Sequence, residues 1–199
     1  MLDKFRYNVD FILEPIAKKV NIEANTISYI SLLFAFIASL SFYFSYNWHF
    51  LLLISSLAIL LNGFLDAIDG KIARMRKKES KKGDFIDHAI DRFSDALMIG
   101  GIVASPWCNK LIGIIAMAVV LLTSYMGTQA QAIGYRRIYG GILGRADRLV
   151  ILFLVAMFQY FIGKIYGFYL IEWIMIYFSI AGTITIVQRF YSTIKWLGK

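Results

Sequence analysis

Asp66-Ala67-Ile68-Asp69-Gly70-Lys71-Ile72-Ala73-Arg74, eight further residues, Gly83, and then Asp87 and Asp91 make up the stretch on which the reading of this chain turns. It joins two apolar runs, Trp48 to Phe64 before it and Phe85 to Pro106 after it. Its aspartates therefore stand where a membrane chain avoids charge, and acidic groups near lipid need partners or a cation. Asp66 and Asp69 are spaced i, i+3 and Asp87 and Asp91 i, i+4, so each pair occupies one face of its own helix. Four carboxylates converging from adjacent helices suit a divalent cation.

Working outward, the 199 residues are 59% hydrophobic, with a mean hydropathy of +0.63, well above a soluble domain. Apolar runs extend from about Thr26 to Tyr46, Trp48 to Phe64, Phe85 to Pro106, Leu111 to Ile133, Leu149 to Ile162 and Phe168 to Val187. Most reach the roughly 20 residues of one crossing. The second and fifth are short, so each is expected to continue through a polar inner end. These runs predict an all-α integral membrane protein: six transmembrane helices over 26–190, with both termini on one side, in one domain of residues 1–199. Residues 3–19 mix Phe5, Tyr7, Val9, Phe11, Ile12, Leu13 and Ile16 with charges. They read as an amphipathic juxtamembrane helix (1–20) on the inner surface, with Pro15 bending or ending it. No cleavable signal peptide is expected, because the first apolar run begins near residue 26.

Basic residues give the orientation. Lys4, Arg6, Lys18 and Lys19 precede the first run; Arg74, Arg76, Lys77, Lys78, Lys81 and Lys82 follow the second. Arg136, Arg137, Arg145 and Arg148 follow the fourth, Arg189, Lys195 and Lys199 close the chain, and only Lys110 and Lys164 fall on the opposite side. The positive-inside rule puts both termini and the acidic stretch at the cytoplasmic face of the cell membrane. The net charge of +8 is thereby explained by topology and anionic lipid, and nucleic acid is not an expected partner. The single cysteine, Cys108, excludes an intrachain disulfide and reads as a bystander in an outer turn. Trp48, Trp107, Trp173 and Trp196 sit near run ends as expected interface anchors.

Helix rise of about 1.5 Å per residue converts position into depth. Counted from Trp48, Asp66 lies roughly 27 Å down, near the inner edge of a hydrocarbon core about 30 Å thick. Asp87, Asp91, Gln129, Gln131, Arg145 and Arg148 fall in the same layer, a polar chamber open to the cytoplasm with a side facing lipid. The bland alternative is that each aspartate merely pairs with an arginine; four at paired spacings argue against it. Asp84 is expected to cap the third span, Asp95 to pair structurally, and His88 to hydrogen-bond within the bundle.

The run Asp66-x2-Asp69-Gly70-x2-Ala73-Arg74-x8-Gly83-x3-Asp87-x3-Asp91 resembles the signature of the CDP-alcohol phosphotransferase family, with every signature position filled. Ala24-Asn25-Thr26-Ile27-Ser28 is similar to the family's Pro-Asn-x-x-Thr segment, with Ala24 and Ser28 in place of proline and threonine. The resemblance implies six transmembrane helices, usually in a homodimer. It also implies Mg²⁺ or Mn²⁺, in a pair of ions, held by Asp66, Asp69, Asp87 and Asp91, with Asp91 as the general base. Gly70, Ala73 and Gly83 would leave room for cytidine beside Asp66 and Asp69, Asn25 and Ser28 would touch the nucleotide, and Arg74 would either neutralise phosphate or brace the aspartates. The chemistry suits these residue types. Hard cations take carboxylate and phosphate oxygens together, and an acceptor hydroxyl would attack the lipid-bearing phosphorus of a CDP-linked lipid, release CMP and form a phosphodiester.

The acceptor alcohol must be read from the second half. Ser124-Tyr125-Met126-Gly127-Thr128-Gln129-Ala130-Gln131, and then Gly144-Arg145-Ala146-Asp147-Arg148, resemble the archaeal archaetidylinositol phosphate synthase branch of the family. Arg145, Arg148 and Arg189, with Gln129 and Gln131, are the expected acceptor-phosphate groups, because guanidinium binds phosphate oxygens bidentately. Bacterial relatives carry Lys and Arg where this chain has Gly127 and Gln129. Inositol 1-phosphate is the preferred acceptor, glycerol phosphate the second. A divalent-cation transporter is the rival from another class, disfavoured because such sites lie near the midplane. A non-catalytic scaffold is the third reading.

Overall fold

The structure, a computed structural model, describes residues 6–76 and 80–198. Lys4, Phe5, Lys77, Lys78 and Lys199 lie outside the described residues, as do the side chains of residues 6–12. In chain order the elements are α1 (Arg6–Lys19), α2 (Ala24–Phe44), α3 (Leu51–Met75), α4 (Lys81–Ala104), α5 (Lys110–Ala132), α6 (Arg145–Gln159), strands β1 (Lys164–Ile165) and β2 (Phe168–Tyr169), and α7 (Leu170–Leu197). The strands pair antiparallel across Tyr166 and Gly167, whose positive φ values of 49° and 86° suit a two-residue hairpin turn.

Among the described residues, four helices, α2, α3, α5 and α7, are long and apolar enough to cross a membrane. The other two expected crossings fall short for separate reasons. α4 has 24 residues but carries Asp84, Asp87, Asp91 and Arg92 in its first half and Asp95 just beyond it. α6 has 15 residues, about 22 Å of helix against a hydrocarbon core of about 30 Å. α3 does continue past the apolar run through a polar C-terminal end, as expected of the second run, and reaches 25 residues.

The helices close a ring: α2 packs on α3, α3 on α6, α6 on α7, α7 on α5, α5 on α4 and α4 back on α2. Its core joins all six, through residues such as Phe42, Ile59, Met98, Val120, Ala156 and Phe178. Close crossings need glycine. A Cβ at Gly101 of α4 would collide with the Ser39 backbone of α2, and one at Gly182 of α7 would meet Val119 of α5. α1 lies against α3 through a second cluster, Leu13 and Ala17 with Ile27, Ile68 and Ile72. It runs unbroken past Pro15 to Lys19, so the proline does not end it. Arg76, just past α3, secures the following turn by donating to the carbonyls of Val20 (2.6 Å) and Ile22 (3.0 Å).

Two smaller expectations are corrected. α4 is capped by Ser80, whose Oγ accepts from Gly83 N at 3.0 Å, and Asp84 instead contacts His88 Nε2 at 3.0 Å. Trp107 is no interface anchor: it is 2% exposed and donates from Nε1 to Ser45 Oγ at 2.7 Å.

Candidate functional site

α3 carries Asp66 and Asp69 near its C-terminal end, and α4 carries Asp87 and Asp91 in its first half. Carboxylate oxygens of Asp66, Asp69 and Asp87 lie within 4.8 Å of one another, and ligand atoms of Asp87, His88 and Asp91 meet the same limit. Asp87 is common to both groups. A donor set of carboxylates alone fits hard cations such as Mg²⁺ or Mn²⁺ rather than softer metals.

Asp69 is buried, and its Oδ2 accepts a 2.6 Å hydrogen bond from Ser28 Oγ, which ties the start of α2 to the acidic group. Asn25 lies one turn earlier, and a Cβ added at Gly83 would come 3.6 Å from its Oδ1. A Cβ at Gly70 would come 3.4 Å from Arg74 Nη1, so the Arg74 side chain folds back over that glycine; Ala73 beside it is half-buried. The segment at the start of α2, Gly70 and Gly83 thus surround the aspartates.

The arginines divide. Arg145, the first residue of α6, spans both acidic helices: Nη1 donates to Asp66 Oδ2 at 2.6 Å, and Nη2 lies 2.9 Å from Asp91 Oδ1 without hydrogen-bond alignment. Arg92 adds a 3.2 Å contact to Asp91 Oδ2. Arg148 points elsewhere, bound to Asp95 at 2.6 Å with the two side chains 2% and 4% exposed. Arg189 of α7 donates to the carbonyls of Thr123, Tyr139 and Gly140, clamping the loop between α5 and α6. Gln129 and Gln131 stand exposed at the end of α5 and, among the described residues, take no part in the carboxylate network. Of the expected acceptor groups, the structure therefore brings only Arg145 onto the aspartates. Gly127 is covered as well: a Cβ there would meet the Ile138 carbonyl and come 3.1 Å from Arg189 Nη1.

One participant was not foreseen. Asn62 is fully buried one turn before Asp66 and donates from Nδ2 to the Ser31 carbonyl of α2 at 2.8 Å. The signal was its i, i+4 spacing to Asp66 inside an apolar run.

Residues 21–185 match the family described as CDP-alcohol phosphatidyltransferase. The chain is 31% identical to an archaetidylinositol phosphate synthase of Methanothermobacter thermautotrophicus, over 95% of this chain and 92% of that protein. It is 32% identical to an archaetidylinositol phosphate synthase of Pyrococcus horikoshii, over 99% and 98%. Among solved structures, it resembles Mycobacterium tuberculosis phosphatidylinositol phosphate synthase with CDP-DAG bound, with a TM-score of 0.75 at 22% identity over 92% and 93% of the two chains. The same protein in complex with manganese and citrate gives a TM-score of 0.75 at 21% identity over 91% and 88%. At these identities the structural likeness concerns the fold.

Proposed function

Because the chain belongs to the CDP-alcohol phosphatidyltransferase family, we propose that it transfers a phosphatidyl-type group, archaetidyl or diacyl, from a CDP-linked lipid to inositol 1-phosphate, releasing CMP. The observation that carries this reading is the convergence of the Asp66, Asp69 and Asp87 carboxylates from two helices. The names of the archaeal relatives, matched along almost their whole length, support the acceptor.

Asp66, Asp69 and Asp87 would hold Mg²⁺ or Mn²⁺, with Asp91 completing the set. When bound, one or two such ions neutralise the pyrophosphate and the departing CMP. Ser28 orients Asp69, and the small residues Gly70, Ala73 and Gly83 form the floor of the nucleotide site, with Asn25 at its edge and Arg74 folded over Gly70. Asp91 accepts the proton of the acceptor hydroxyl as that oxygen attacks the lipid-bearing phosphorus, while the bond to CMP breaks. Arg145 supplies the first contact to the acceptor phosphate. Arg148 and Arg189 join it only by giving up Asp95 and the loop carbonyls, so their part in the pocket is secondary. Gln129 and Gln131 reach the acceptor only if the end of α5 turns inward.

The same reading takes the whole chain as one six-span domain, with α4 as the charged crossing and α6 as the short one, α1 on the inner surface and both termini and the site cytoplasmic. It takes the working unit as a homodimer. The placement of the aspartates near the ends of α3 and α4 supports this lipid-facing chemistry over a midplane transport site.

The test is CMP release by purified protein with Mg²⁺ and CDP-archaeol or CDP-diacylglycerol, comparing inositol 1-phosphate, glycerol 3-phosphate and serine. Release dependent on inositol phosphate is expected. Release with glycerol phosphate alone would overturn the acceptor, and no release with any would overturn the function.

A further inference from the structure

Arg145 sits on the groups that the proposed cation needs. Its guanidinium engages Asp66 on α3 and Asp91 on α4, at 2.6 and 2.9 Å. A carboxylate oxygen committed at such distances to a cationic fork has little left for a metal, and two like charges on one carboxylate repel. The arginine is also incompletely satisfied there. Its Nε and Nη2 are buried without a hydrogen-bond partner among the described residues, although buried donors ordinarily find one. Only its side chain need move to correct this. The backbone at the start of α6 is fixed by Gly144 N donating to Asp147 Oδ2 at 2.9 Å and by Leu143 N donating to Thr185 Oγ1 at 3.0 Å. A phosphate dianion offers the oxygens that Nε lacks and the alignment that Nη2 does not find on Asp91.

We propose that Arg145 competes with the divalent cation for Asp66 and Asp91, so that cation entry hands its guanidinium to the acceptor phosphate. The inference rests on the metal-dependent reading above. Cation and acceptor phosphate then bind with positive coupling through one side chain, and by linkage each tightens the other by the same factor.

The experiment is Mn²⁺ binding to the purified full chain, read by electron paramagnetic resonance of free Mn²⁺, with and without inositol 1-phosphate and in the absence of any CDP-lipid. In the unaltered protein, inositol phosphate is expected to lower the Mn²⁺ Kd by about five-fold or more. Arg145→Gln should bind Mn²⁺ more tightly than the unaltered protein and lose the phosphate effect. Arg145→Lys keeps the charge but cannot span both carboxylates, so it too should bind Mn²⁺ more tightly. No coupling in the unaltered protein overturns the proposal without any variant being needed. So does phosphate tightening that persists in Arg145→Gln, which would mean phosphate ligates the metal directly, or an Arg145→Lys affinity equal to that of the unaltered protein. Mn²⁺ binding without coupling sinks only this inference, whereas no Mn²⁺ binding sinks the metal reading with it.

Discussion

Arg148 and Asp95 form an ion pair removed from solvent, and taking away one partner leaves a buried charge alone. Such a change costs about 3–5 kcal/mol, whereas an apolar replacement of both is tolerated far better. Arg148→Leu should therefore lower the midpoint of thermal unfolding in detergent markedly, and Arg148→Leu with Asp95→Leu should recover much of the loss; equal damage by both would refute the pairing. Cys108 yields a second prediction at this scale. It is 6% exposed, and burial pushes its thiol up to about 12, so it stays protonated at neutral pH. It should react with a maleimide orders of magnitude more slowly in the folded protein than after denaturation, and rapid labelling of the native chain would contradict this. The four aspartates were legible because their spacing alone places them on two helix faces. The partners of the arginines were not: Arg148 and Asp95 are 53 residues apart, and no local pattern distinguishes Arg148 from Arg145, three residues earlier. Trp107 misled for a similar reason, since a tryptophan near a run end is an anchor or a core residue according to tertiary packing alone.

Helix pairs are set by where side chains are missing. Gly101 lets α4 reach the backbone of α2, and these two helices, with α3, carry the residues around the aspartates. Gly101→Ala should cost about 1–3 kcal/mol by overpacking and lower activity along with stability. Unchanged unfolding would show that α2 and α4 do not meet as described. Gly127 has a parallel role beneath the loop that precedes α6. Gly127→Lys, the residue type expected there in bacterial relatives, should displace the Ile138 carbonyl and the Arg189 clamp rather than improve the acceptor pocket. Faster proteolysis within 133–144 would report it, and a variant with intact loop and stronger acceptor binding would contradict it. Helices were visible from apolar periodicity, but their number as crossings was not. The charges of α4 lower its hydropathy, and α6 runs only 15 residues from Arg145, which meets Asp66 and Asp91, to Gln159. α1 was visible too, but the effect of Pro15 within it depends on packing against α3.

At the scale of the molecule, the closed ring of six helices leaves the acidic residues at one end and the hairpin of β1 and β2 at the other. The ring could not be read from sequence, because contacts such as α5 with α7 and α3 with α6 skip over intervening elements. The charge asymmetry already predicted which end faces the cytoplasm. In a Cys108→Ala background, Tyr166→Cys should be labelled by an impermeant maleimide on intact cells and Gly198→Cys only after permeabilisation; the reverse pattern would invert the orientation. The proposed transfer depends on the aspartates holding a cation that CMP release requires. Its most direct test is single-turnover CMP release from CDP-archaeol with inositol 1-phosphate, before chelation, after chelation, and after Mg²⁺ or Mn²⁺ is restored, in the unaltered protein and in folded Asp69→Asn and Asp91→Asn variants. Loss on chelation, recovery on restoring the metal, and a fall of at least two orders of magnitude in both variants are predicted. Release that survives chelation, or that persists in both variants, would contradict the assignment of these carboxylates.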